Sequence, residues 1–327
     1  MSEDLRGIEP VGGEPLSPEP SSEVPQPPEG STAGSPQDQS YAISTYRYLR
    51  LAIVAVVVTL AVSIGLERSA ATCWNGSISA YYYTPVHSIF VAALGLIGVA
   101  LFAIRGGKWI EEVLLNGAGF LAPVVAFVPT GWSSDYCPST LTGTSKNTVG
   151  QLLKGNDVLA KFSTNNLIAF IVGGIIVIVL TATVAMLWGK EPRRFPPSEL
   201  TWPVLGSAVV AVFGLIWREV WPGSFSTHAH SYAATLMFVL VFVVMLFTAC
   251  RNSSAHYKLL YFACAGTMAV GAGVIFAASK LVTWHHEVLV LEIVEITAFV
   301  VFWFFQTIQL WNIGLNANGW QASEARD

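Results

Sequence analysis

Apolar residues in this chain gather into eight long runs, roughly 48–66, 86–104, 110–129, 166–188, 202–221, 229–250, 259–279 and 287–311. A helix rises 1.5 Å per residue, so about 20 apolar residues cross a hydrocarbon core of about 30 Å. The pattern predicts an all-α protein, a polytopic transmembrane helical bundle of about eight spans. Most breaks between runs are short, which places consecutive spans side by side and antiparallel. The exception is a long outer loop over 130–165, whose second half (149–162) spaces its apolar residues as a short surface helix would. Near the end of the fifth run stand Arg218 and Glu219, expected to pair or to reach outward to water.

The polar segments set the orientation. Residues 1–40 hold eight of the seventeen prolines, eight acidic groups against the single Arg6, and no aromatic residue. Such a stretch buries too little apolar area to offset its ordering entropy and reads as a disordered acidic tail. It carries −7 of charge, so residues 41–327 carry +3 within the total of −4. With Arg47 and Arg50 placed in the cytoplasm, alternation puts ten basic residues inside and six outside. The expected protein is thus a multi-pass protein of the plasma (inner) membrane with both termini cytoplasmic: a tail to residue 40, a bundle over 41–315 and a short tail over 316–327. Cys73 and Cys137 fall in the two outer loops, where they form either a disulfide or two unrelated thiols.

Candidate chemistry lies at the outer ends of the spans. Five of the six histidines fall there: His87, His228, His230, His285 and His286. Imidazoles from several helices at one face suit zinc, with His230, His228 and His286 as the ligand set. Glu292 and Glu295 sit about one helical turn apart on the last span, at a depth where a carboxylate must find partners, stay protonated or face the bundle interior. Acid or base work by Glu295, Glu292 and His230 follows as a reading, with structural hydrogen bonding as the other. Gln306 and Gln309 extend the polar stripe along that span. Ahead of the second span, Tyr81, Tyr82, Thr84 and His87 either line an outer cavity with Asp135 or form an interfacial aromatic belt, with Thr84 capping the helix. The seventh run is rich in glycine and alanine and is expected to be the central packing helix, with further close crossings at Gly95, Gly98, Gly173 and Gly174.

The stretch Ile78-Ser79-Ala80-Tyr81-Tyr82-Tyr83-Thr84, the Val128-Pro129-Thr130 end of the third span, His230 and Glu295 together resemble a family of uncharacterised multi-pass membrane proteins common in bacteria. The resemblance covers mainly 77–130 and 228–312, and it implies that the fourth and fifth spans are an addition. That family carries Arg-Asp where this chain has His87-Ser88. A weaker analogy is to the ceramidase-like membrane hydrolases, which hold zinc with histidines on separate helices; their His-x-x-x-His pair is absent here. What the analogy implies is a metal-dependent, lipid-directed hydrolase or remodelling enzyme.

Phosphate loops, nucleophile elbows and HExxH pairs are missing from the sequence, and no basic stripe suggests nucleic acid. Three readings remain. One is the zinc-dependent enzyme acting on a lipid, with Glu295 as base. The second is a proton-coupled transporter or small-molecule receptor. The last is a scaffold whose polar groups only hold helices together. The bilayer itself, and a lipid or small-molecule ligand, are the expected partners.

Overall fold

The computed structural model describes residues 36–71, 73–104, 108–131, 156–188, 197–282 and 284–311. Eight α-helices account for most of them: α1 (Pro36–Ala71), α2 (His87–Ala103), α3 (Trp109–Phe127), α4 (Asn156–Trp188), α5 (Pro197–Val220), α6 (Pro222–Arg251), α7 (Ala255–Leu281) and α8 (Glu287–Gln309). A short 3-10 helix, Ser79–Tyr83, leads into α2. Each apolar run of the sequence is carried by one helix. Five helices are long and apolar enough to cross a membrane: α1 over Ile43–Ala71, α3, α6, α7 and α8. The apolar helix α2, at 17 residues, is about 26 Å long.

Six helices close a ring. α1 packs on α2, α2 on α3, α3 on α6, α6 on α7, α7 on α8, and α8 returns to α1. α4 stands beside this ring against α3, and α5 against α3 and α6. Lipid tails are as apolar as leucine, so close approach rather than water exclusion holds such helices together. The tightest crossing joins α2 to α3: a Cβ on Gly98 would stand 2.7 Å from the carbonyl of Gly119 and from Pro123 Cδ. Pro123 has no N–H to give that carbonyl, four residues earlier, and α2 packs over the gap. On the opposite side of the ring, Gly271 of α7 lets Val294 of α8 approach equally closely.

Cross-chain hydrogen bonds fix which helix ends share a face. Arg47 donates to the carbonyl of Trp311, and Asn252 and Gln309 exchange amide hydrogen bonds at 3.0 and 3.1 Å. The start of α1, the α6–α7 turn and the end of α8 therefore meet. At the far end the N–H of Leu289 donates to the carbonyl of Gly76 (2.8 Å), and the hydroxyl of Tyr83 to that of Thr130. Consecutive ring helices thus alternate in direction.

Three expectations need correction. Helix α1 begins at Pro36, so residues 36–40 are helical; residues 1–35 lie outside the described residues. The small-residue helix α7 is not central. Only 22% of its apolar window is buried, against 56% for α3, and Gly266 and Gly273 meet nothing within 4 Å. Small residues permit a close neighbour but do not supply one, and the same holds for Gly95, Gly173 and Gly174 among the described residues. The expected surface helix over 149–162 has no separate existence in its second half, which forms the start of α4. Arg218 and Glu219 do pair, at 3.3 Å, and Arg218 also donates to Thr164.

Candidate functional site

Helix α6 opens at Pro222, whose fixed φ suits a first turn, and carries His230 about two turns further in. Opposite it, α3 ends at Val128-Pro129, where proline supplies no N–H to continue the helix. His230 is buried and its Nδ1 lies 2.6 Å from the Val128 carbonyl. A carbonyl only accepts, so Nδ1 holds a proton, and when the ring is neutral Nε2 keeps its lone pair.

The two glutamates of α8, one turn apart, have opposite surroundings. Glu292 accepts the backbone N–H of Ile78 at 2.5 Å and the hydroxyl of Ser79 at 3.0 Å. Ile78 is the N-cap of the 3-10 helix, so the carboxylate sits on the positive end of that turn. Together with the Leu289-to-Gly76 bond one turn earlier, it clasps the 73–86 segment onto α8. Glu295 is 7% exposed, and among the described residues its carboxylate has no hydrogen bond and no cation. Leaving a carboxylate unpaired in an apolar bundle costs several kcal/mol unless it takes up a proton or a ligand.

His230, Glu292 and Glu295 border one cleft of about 500 Å³ between α6, α7 and α8. Ser77, Thr130, Ser231 and Thr235 add hydroxyls, while Phe238, Phe242, Met268, Ala272 and Leu291 make an apolar wall. A smaller cavity of about 70 Å³, walled by Val57, Leu60, Phe90 and Leu101, lies at the centre of the ring. It shares Ser79, Ala234, Phe238 and Glu292 with the cleft.

The other expected site residues lie elsewhere. Tyr81 and Tyr82 are buried in an apolar cluster with Val86, Phe90 and Leu121, and neither borders the cleft. Burial pushes both phenols above their usual range, so they stay neutral. Thr84 does not cap α2, whose N-cap is Val86; it ends the 3-10 helix, its hydroxyl donating to the carbonyl of Tyr81 and accepting from the N–H of Val86. His87 packs edge-on to Tyr82 at 4.2 Å and bonds that residue's carbonyl through Nδ1. His228 is exposed and stacks on Tyr232; two residues from His230, it stands about 200° around the helix. His286 is the N-cap of α8. Among the described residues no three His, Cys, Asp or Glu side chains are placed to hold a metal ion, so the His228, His230, His286 zinc set is not assembled. Asp135 and Cys137 lie outside the described residues. Cys73 is disulfide-bonded, whereas Cys250 and Cys264 are free.

Sequence reasoning took Arg50 only as a flanking charge, and the structure makes it the centre of a second polar site. It is 2% exposed. Nε donates to the Thr307 hydroxyl (3.2 Å), Nη1 to the Tyr46 hydroxyl (2.7 Å) and Nη2 to Gln306 Oε1, with the guanidinium 4.5 Å from the Trp303 ring centre. Next to it, Gln309 accepts from Tyr261 at 2.6 Å. The signal available beforehand was the amide pair Gln306 and Gln309 after the apolar stretch 298–305 of α8.

No protein-family model matches this chain, and no curated protein or solved structure matches it either. The functional reading therefore rests on the geometry of the two polar sites.

Proposed function

We propose that this is a receptor or carrier for an amphiphile, held in the cleft between α6, α7 and α8 with its head group on Glu295. The observation that carries the reading is the buried carboxylate of Glu295, which lacks a partner among the described residues and borders a cleft with a long apolar wall. A head group that is cationic or donates hydrogen bonds satisfies that carboxylate, and an alkyl chain fills the space along Phe238 and Phe242. Nε2 of His230, with its lone pair, offers a second acceptor in the same space. Metal-dependent hydrolysis has less support, because its ligand set is not assembled among the described residues.

The reading places the chain in the plasma (inner) membrane with eight spans and both termini cytoplasmic. The excess of basic residues near the Arg50 end of the bundle supports that orientation. The alternating direction of the ring helices agrees with it. By this reading the Glu295 cleft faces the outer half of the bilayer.

The test uses purified protein in detergent, chain-matched dodecylamine, dodecanol and dodecanoate, and native mass spectrometry to count bound probe. Dodecylamine should bind the wild type in preference to dodecanoate, and Glu295→Gln should weaken it about tenfold, the loss of one charge-assisted contact. Equal binding of dodecylamine to both proteins overturns the proposal.

A further inference from the structure

We infer that the pocket around Arg50, at the opposite end of the ring, is a binding site for a phosphate-type oxyanion. The pocket measures about 230 Å³ and opens between α1, α3, α6 and α8. At about 30 Å³ per water it holds an oxyanion and several waters. Its floor is a guanidinium that is 2% exposed and whose hydrogen bonds among the described residues go to neutral groups: Tyr46, Gln306 and Thr307. A guanidinium has five N–H donors; three are engaged, which leaves two.

The charges around it favour an anion. Arg251, exposed at the mouth, borders the same pocket, as do the side chains of Thr248 and Ser253. Glu111 of α3 also borders it, accepts from Thr248 at 3.4 Å and acts on Arg50 electrostatically. Two cations and one carboxylate leave the pocket at +1. A guanidinium fork with spare donors matches the paired oxygens of phosphate, and a second arginine at the mouth completes the cradle. An arginine serving only to join α1 to α8 would need neither an open pocket above it nor a second cation facing that pocket. Free phosphate compounds and phospholipid head groups share this chemistry. The site is separate from the Glu295 cleft, and the two proposals stand or fall independently.

The experiment follows unfolding temperature in phosphatidylcholine nanodiscs. One arm titrates inorganic phosphate against chloride at constant ionic strength, and the other replaces part of the lipid with phosphatidylglycerol. Four proteins are compared: wild type, Arg251→Gln, Arg50→Lys and the control Lys258→Gln. Arg251→Gln alters only an exposed side chain at the mouth, so it reports on the site even where Arg50→Lys folds poorly. Stabilisation by phosphate in wild type and control, with apparent affinity about tenfold weaker in Arg251→Gln, supports a soluble oxyanion. Stabilisation only by phosphatidylglycerol, lost in Arg251→Gln, supports a lipid head group. No stabilisation of the wild type in either arm, or an equal shift in all four proteins, overturns the inference.

Discussion

The two ends of the helical ring meet one physical problem, an ionised side chain inside an apolar bundle, and answer it differently. At one end the Arg50 guanidinium is wrapped by a hydroxyl from its own helix, an amide and a hydroxyl from α8, and the face of Trp303. At the other, Glu295 is buried beside a cleft and nothing among the described residues meets its carboxylate. Burial alone does not separate structural groups from functional ones. What separates the two ends is how far hydrogen bonds from the described residues go: they engage three of the five donors of Arg50 and neither oxygen of Glu295. Within α8 the contrast repeats over a single turn, since Glu292 is committed to Ile78 and Ser79 while its neighbour is not.

Substitutions can break that contrast or sharpen it. The largest effect is expected for Arg50→Ala, which strips three hydrogen bonds and leaves Gln306 and Thr307 facing an empty space. Stability should fall by about 3 kcal/mol or more, read from denaturant or thermal unfolding in detergent. A neutral outcome would mean that α1 and α8 are joined by packing alone. Next comes Glu292→Ala, at about 2 kcal/mol, with faster amide exchange over Ile78 to Tyr83 as the clasp opens. Unchanged exchange there would show that the Leu289-to-Gly76 bond suffices. The smallest effect belongs to Glu295→Gln, which removes a charge that has no partner. Stability should stay level or rise by about 1 kcal/mol, and a clear loss would show that the carboxylate is answered within the protein after all.

Much of the scaffold was legible in the sequence, because span length and apolar composition are local properties. Each of the eight runs became one helix, and Arg218 with Glu219 paired as neighbours one residue apart can. Lateral order was not legible. Nothing local says that α3 meets α6 or that the glycine-rich α7 packs loosely, although the close crossing expected at Gly98 of α2 did form. For the site, Glu292 and Glu295 stood out by the cost of polar groups at depth and His230 by the clustering of histidines at the outer ends, and the structure sets all three around one cleft. His228 failed on helical phase, which two residues of separation already imply. The tyrosines turned inward because a 3-10 helix packs them under the clasp rather than at a surface. Arg50 escaped notice because its partners lie on the last helix, and no spacing rule links positions so far apart.

That distance has a consequence for how the protein is made. Gln306 follows Arg50 by 256 residues. At about 5–20 residues per second, a ribosome needs about 13–50 s to deliver it after α1 has emerged. Throughout that interval the guanidinium has Tyr46, four residues back on its own helix, as its one partner among the three. Helix α1 is thus completed by α8, and a chain that stops short of α8 leaves Arg50 without its bonds to Gln306 and Thr307.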